Sequence, residues 1–93
     1  MSSAPRVLKK WKAMLDYGYQ FMCGICDKPI EHRDELSVDH IHPLSLGGKN
    51  HHYNYQPAHV KCNNRRGNKP IKKTIIQGGY QPVAPNVSDK ELL

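Results

Sequence analysis

The chain has 93 residues, enough for one small domain but too few to hold a fold comfortably by apolar packing alone. Domains of this size usually recruit disulfides or a structural metal, and three cysteines argue against a disulfide framework because one is left over. No apolar leader and no stretch of membrane-span length is present, so an intracellular, reduced, metal-using protein with no membrane role is expected. The net charge of +6 points to an anionic partner. Its basic part is one-sided: Lys61, Arg65, Arg66, Lys69, Lys72 and Lys73 follow one another with no acid between them, while most acids lie between Asp27 and Asp39. Such a segment suits phosphate contacts, but a solvated helix face has the same composition, and charge alone does not choose.

In chain order, residues 6–17 read as an amphipathic helix. Val7, Trp11, Met14 and Leu15 recur at three- and four-residue spacing, Lys9, Lys10, Lys12 and Asp16 take the other side, and Gly18 ends it. Residues 27–35 are charged and rich in turn formers. Residues 36–41 alternate apolar and polar side chains, as a strand with one buried face does. Pro43 ends that strand, and a loop through Gly47-Gly48 leads to a second short strand at 55–58, which Pro57 confines to an edge. Residues 59–67 have helical character, and Pro70 ends the element at the latest. A domain over 1–70 is therefore expected, followed by an extended tail over 71–93 that Ile75, Ile76 and Tyr80 pin at its start and whose end is mobile.

Cys23-x-x-Cys26 and His59-x-x-Cys62 are ligand pairs with matched gaps, each short enough for a tight turn to aim both side chains at one ion. Three thiolates and one imidazole make a closed set of the kind that holds structural Zn²⁺, and they use every cysteine. The competing reading, a redox pair at Cys23 and Cys26 with Cys62 free, needs a βαβ setting that this chain is too short to provide. Thirty-two residues separate the pairs, and that insert contains Asp39-His40.

Several polar residues exceed what a zinc module needs. Asp39 and His40 are adjacent at a strand end and so point to opposite sides, one suited to a hard cation and the other to a water. With Asn54 and Asn63 they supply few oxygen ligands, an open set that fits Mg²⁺ or Mn²⁺. The run Val38-Asp39-His40-Ile41-His42-Pro43, then Gly47-Gly48, Asn54-Tyr55-Gln56 and Cys62-Asn63-Asn64-Arg65, resembles the HNH motif of the His-Me finger nucleases across residues 23–69. That resemblance implies an α+β protein with a ββα-metal fold, here carrying an N-terminal helix and a zinc knuckle. It also implies a metal-dependent endonuclease acting on DNA. Asp39 and Asn63 would bind the catalytic ion, His40 would be the general base, and Asn54 would tether the loop that orients His40. Lys61, Arg65, Arg66 and Lys69 are the expected phosphate contacts.

Two positions depart from the pattern. His59 stands where many zinc-bearing members have Cys, and Gly67 stands where colicin-like members have a second metal-binding His; Asn64 substitutes for Asn63 if the register shifts by one. His32, His42, His51 and His52 are read as surface or loop residues. A catalytically inactive zinc-dependent nucleic-acid-binding module is the alternative, but it leaves Asp39, His40, Asn54 and Asn63 without a purpose. Compact HNH proteins resembling this one occur in bacteriophages and bacteria, which implies a cytoplasmic setting, DNA as the main partner and a phage or bacterial protein partner.

Overall fold

Helix α1, Ala4–Tyr17, is the first element of the computed structural model, which describes residues 4–85. It includes two residues ahead of the expected Arg6, among them Pro5, which suits a first helical turn because its missing N–H has no partner to lose there. Val7, Met14 and Leu15 pack on the core, and Trp11 is buried in it. Gly18, at φ +122°, closes the helix by donating to the Met14 and Leu15 carbonyls at 3.1 Å.

Strands β1 (Phe21–Met22) and β2 (Pro29–Ile30) then form an antiparallel hairpin with Phe21 opposite Ile30. Its second strand falls within the charged, turn-rich stretch 27–35 and was not expected from sequence, since strands of two residues have no period to read. Strand β3 (Leu36–His40) pairs antiparallel with β4 (Tyr55–His59), Asp39 facing Gln56 and His40 facing Tyr55. Pro57 sits opposite Val38; in a two-stranded sheet both strands are edges, so its missing donor is tolerated. Helix α2, Val60–Arg66, follows β4 directly, one residue later than expected, because His59 caps it in an extended conformation. Strand, strand and helix thus make the ββα unit of a small α+β protein.

The loop between β3 and β4 is folded back on itself. Its ends meet where the Ile41 N–H donates to the Asn54 carbonyl at 2.8 Å, and 3₁₀ turns occupy Leu44–Leu46 and His52–Asn54. Gly48 is required there: a Cβ on it would lie 1.8 Å from the His42 carbonyl oxygen.

Trp11, Phe21, Cys23, Ile30, Leu36, Tyr55 and Ala58 form the core. Residues beyond α2 return to it, because Tyr80 packs against Trp11 (ring centroids 5.8 Å) and Phe21 (6.0 Å) and its hydroxyl accepts from the Met22 N–H at 3.0 Å. Val83 then bridges Gln20 through paired backbone bonds of 2.8 and 3.0 Å. Of the three residues expected to pin this segment, Tyr80 is the one that packs among the aromatics, whereas Ile75 is 41% exposed. The chain end expected to be mobile lies outside the described residues. Among those described, no helix is long and apolar enough to cross a membrane. Tyr80→Ala should therefore lower the unfolding free energy by about 2 kcal/mol, the order for truncating a partly buried aromatic, while Ile75→Ala stays within about 0.5 kcal/mol. Urea titration of both variants checks the contrast.

Candidate functional site

The turn of the β1–β2 hairpin and the β4–α2 junction converge. They bring Cys23, Cys26, His59 and Cys62 together, with all four donor atoms within 4.8 Å of one another. The hairpin turn is closed by Asp27, at φ +61°, whose N–H donates to the Cys23 carbonyl at 2.9 Å. Nδ1 of His59 lies 3.3 Å from the Cys26 sulfur and 3.9 Å from the Cys62 sulfur. Donors bound tetrahedrally at about 2.0–2.3 Å would stand roughly 3.5–3.8 Å apart, so the quartet has the size of a zinc site. The far ring nitrogen supports the same orientation: Nε2–H donates to the Pro29 carbonyl at 3.0 Å, leaving Nδ1 as the lone pair turned to the sulfurs.

The thiols are differentiated. Burial works against the Cys23 thiolate, but N–H donors from Cys26, His59 and Ile25 outweigh it and bring its pKa from 9.0 down to about 7. Burial, reinforced by Cys26 and Cys23, pushes Cys62 up to about 11. Three thiols this close cannot all ionise without a cation among them, and that is what a divalent metal supplies.

A second site lies on the other side of α2. A cleft of about 180 Å³ is lined by Asp39, His40, Asn63, Gly67 and Asn68 among others, so three of the four expected catalytic residues share it. Asn63 has its amide nitrogen pinned to the Ser37 hydroxyl (3.1 Å) and the Val38 carbonyl (3.2 Å), and its Oδ1 accepts no hydrogen bond among the described residues. Asp39 is buried, and its Oδ2 accepts from Gln56 Nε2 at 2.8 Å and from the Arg66 guanidinium, leaving Oδ1. Among the described residues the Oδ1 atoms of Asp39 and Asn63 accept no hydrogen bond, and they are the oxygens that could hold a hydrated divalent cation.

Asn54, the fourth, is buried behind the loop. Its Oδ1 accepts from the His42 N–H at 2.8 Å, and its Nδ2 donates to the carbonyls of His42 (3.0 Å) and Lys49 (2.8 Å). One side chain thus ties both arms of the loop together just beyond His40. The His40 ring stands edge-on to Tyr55 at 5.2 Å, and its Nε2 lies 3.2 Å from Asn50 Oδ1. Burial pushes the Tyr55 phenol above its ordinary pKa of 10.0, which keeps its hydroxyl a donor.

The expected phosphate contacts fare differently. Arg66 is corrected: it is 6% exposed, and besides Asp39 its guanidinium donates to the carbonyls of His40 (2.9 Å), Ile41 (2.8 Å) and Lys69 (2.8 Å). A guanidinium so committed has no face left for DNA. Lys61 and Arg65 are exposed, but they border a hollow shared with Asp34, Glu35, Cys26, His59 and Cys62. Each is two residues from Asn63, about 200° around the helix, so the structure does not bring them to the cleft. Lys69 is exposed beyond Asn68. No Lys or Arg lines the cleft among the described residues.

Gln56 and Arg66 are the residues whose part the sequence did not reveal. Gln56 pairs across the sheet with Asp39 and leans on Gly24 of the hairpin turn, where a Cβ would lie 2.1 Å from its Oε1. The only available signal was position, Gln56 two residues after Asn54 and Arg66 three residues beyond Asn63.

The fold is thus a ββα unit with an Asp-His pair and an Asn along one cleft and a Cys3His quartet at its strand–helix junction. The sequence profile of the HNH endonuclease family matches residues 23–69, half of the chain. The protein belongs to the HNH endonuclease family. No curated protein and no solved structure gave a match.

Removing Arg66 would leave the Asp39 carboxylate buried without its partner, a change that typically costs about 3–5 kcal/mol. Arg66→Ala should lower stability by that order in a denaturant titration, with Arg65→Ala within about 0.5 kcal/mol. A phosphate-contacting Arg66 would give the reverse, weaker DNA binding at unchanged stability.

Proposed function

We propose that the protein is a divalent-metal-dependent endonuclease that hydrolyses DNA phosphodiester bonds, using His40 to activate water. The observation that carries this reading is the shared cleft: His40, Asp39 and Asn63 line one surface, while Asn54 holds the loop behind His40. A pure binding module has no need of a histidine held beside two oxygen donors.

His40 would take a proton from a water molecule on its free nitrogen. The oxygen of that water forms its bond to phosphorus as the bond to the 3′ oxygen breaks, in line. His40 keeps the proton as imidazolium, and solvent protonates the departing 3′ oxygen. Asp39 and Asn63 would hold Mg²⁺ or Mn²⁺, which when bound supplies the positive charge that phosphate needs as negative charge develops. Charge supports a metal requirement: no cationic side chain lines the cleft among the described residues, and the one buried guanidinium nearby is engaged with Asp39 and backbone carbonyls. Structural Zn²⁺ in the Cys3His quartet would keep Asn63 at the cleft, since Asn63 follows Cys62. Exposed Lys61, Arg65 and Lys69 remain available to DNA backbone away from the scissile bond. Like the phage and bacterial proteins it resembles, it would work in the cytoplasm of a bacterium or an infected host.

The test is cleavage of supercoiled plasmid by zinc-loaded protein with and without added Mg²⁺ or Mn²⁺. Nicking or linearisation that requires the added ion is expected. His40→Ala should lose about 10²–10⁴-fold in rate with an unchanged circular dichroism spectrum. Plasmid that is shifted in a gel but never cut, with either ion, would show a binding module instead.

A further inference from the structure

Taking His40 as the general base leaves open what decides which of its ring nitrogens is the base and where that nitrogen points. A neutral imidazole has one N–H and one lone pair, so a base of this kind works only if a neighbour holds the N–H. The neighbour is Asn50. Its Oδ1 lies 3.2 Å from His40 Nε2, and an amide oxygen can only accept. Nε2 therefore carries the proton and Nδ1 the lone pair.

An exposed asparagine would not normally hold anything, because water competes for its amide. Two features remove that freedom here. The same Oδ1 accepts a hydrogen bond from the hydroxyl of Tyr55, a residue with no exposure at all, so the amide is anchored to the core. Its backbone is also fixed from the preceding residue, since the Lys49 carbonyl accepts from Asn54. Tyr55 faces His40 across the β3–β4 pair and stands edge-on to the imidazole, with an interplanar angle of 89°. Ring, phenol and amide therefore close a small circuit around one oxygen.

We propose that Asn50 is the positioning residue of the base: its Oδ1, held by Tyr55, fixes the tautomer and orientation of His40. This rests on His40 acting as the base. Only the oxygen is used, because Asn50 Nδ2 makes no hydrogen bond among the described residues. Aspartate at this position would keep the acceptor, and leucine would keep the shape without it.

Steady-state plasmid cleavage with Mg²⁺ by wild type, Asn50→Leu, Asn50→Asp and His40→Ala tests the idea, with circular dichroism melts confirming that each variant folds. Asn50→Leu should lower kcat by about 10- to 100-fold, the scale of a misaligned reacting group, with KM for DNA unchanged. Asn50→Asp should recover most of that loss. Wild-type kcat in Asn50→Leu alongside an inactive His40→Ala would overturn the role of Asn50 and leave His40 as base. Equal losses in the Leu and Asp variants would overturn the acceptor role. Full activity in His40→Ala would overturn the reading on which the proposal rests.

Discussion

The convergence of two short turns on one point, residues 23–26 from the hairpin and residues 59–62 from the strand–helix junction, is the constraint on which the remaining structure depends. The hairpin strands have two residues each, and the sheet that carries the cleft has two strands, an arrangement that is marginal in water by itself. Cys23 is wholly buried and belongs to the core, so the quartet is part of the packing. A metal bound there would hold the hairpin against α2 at a point where the chain has too few apolar residues to do so.

From that junction a continuous set of contacts runs to the cleft. Gly24 donates its N–H to the Pro57 carbonyl at 2.8 Å and gives Gln56 room to lie against it; Gln56 reaches Asp39, and Asp39 meets Arg66. The Lys73 ammonium donates to the Gly24 carbonyl at 2.9 Å, adding the segment beyond α2 to the same junction. Arg66 in turn gathers three backbone carbonyls around the end of β3 and the exit of α2. A buried guanidinium is costly unless its nitrogens find partners, and the end of the ββα unit supplies at least one to each of the three. Asp39 also lines the cleft.

Much of this was legible in the sequence because it depends on spacing. Two matched gaps of two residues located the quartet, the alternation over 36–41 located β3, and the period of α1 located its buried face. What was not legible depends on distant pairing. The β1–β2 hairpin leaves no period. Arg66 reads as surface charge like Arg65 one residue before it, and only the turn of α2 under β3 separates their fates. Asn50 is one polar residue in a polar loop, and nothing local says that a phenol five residues on will anchor it. Lys61 and Arg65 show the converse: a basic run was visible, but the helix turns them away from the cleft.

Metal at the Cys3His quartet would hold both the fold and the cleft. The decisive experiment measures zinc content by mass spectrometry together with circular dichroism melting and Mg²⁺-supported plasmid cleavage, before and after stripping by a strong chelator. Stoichiometric zinc is expected, and its removal should abolish the cooperative melt and cleavage together, with both restored by added Zn²⁺ and neither by Mg²⁺ alone. Zinc-free protein that melts as before and still cuts DNA would contradict it.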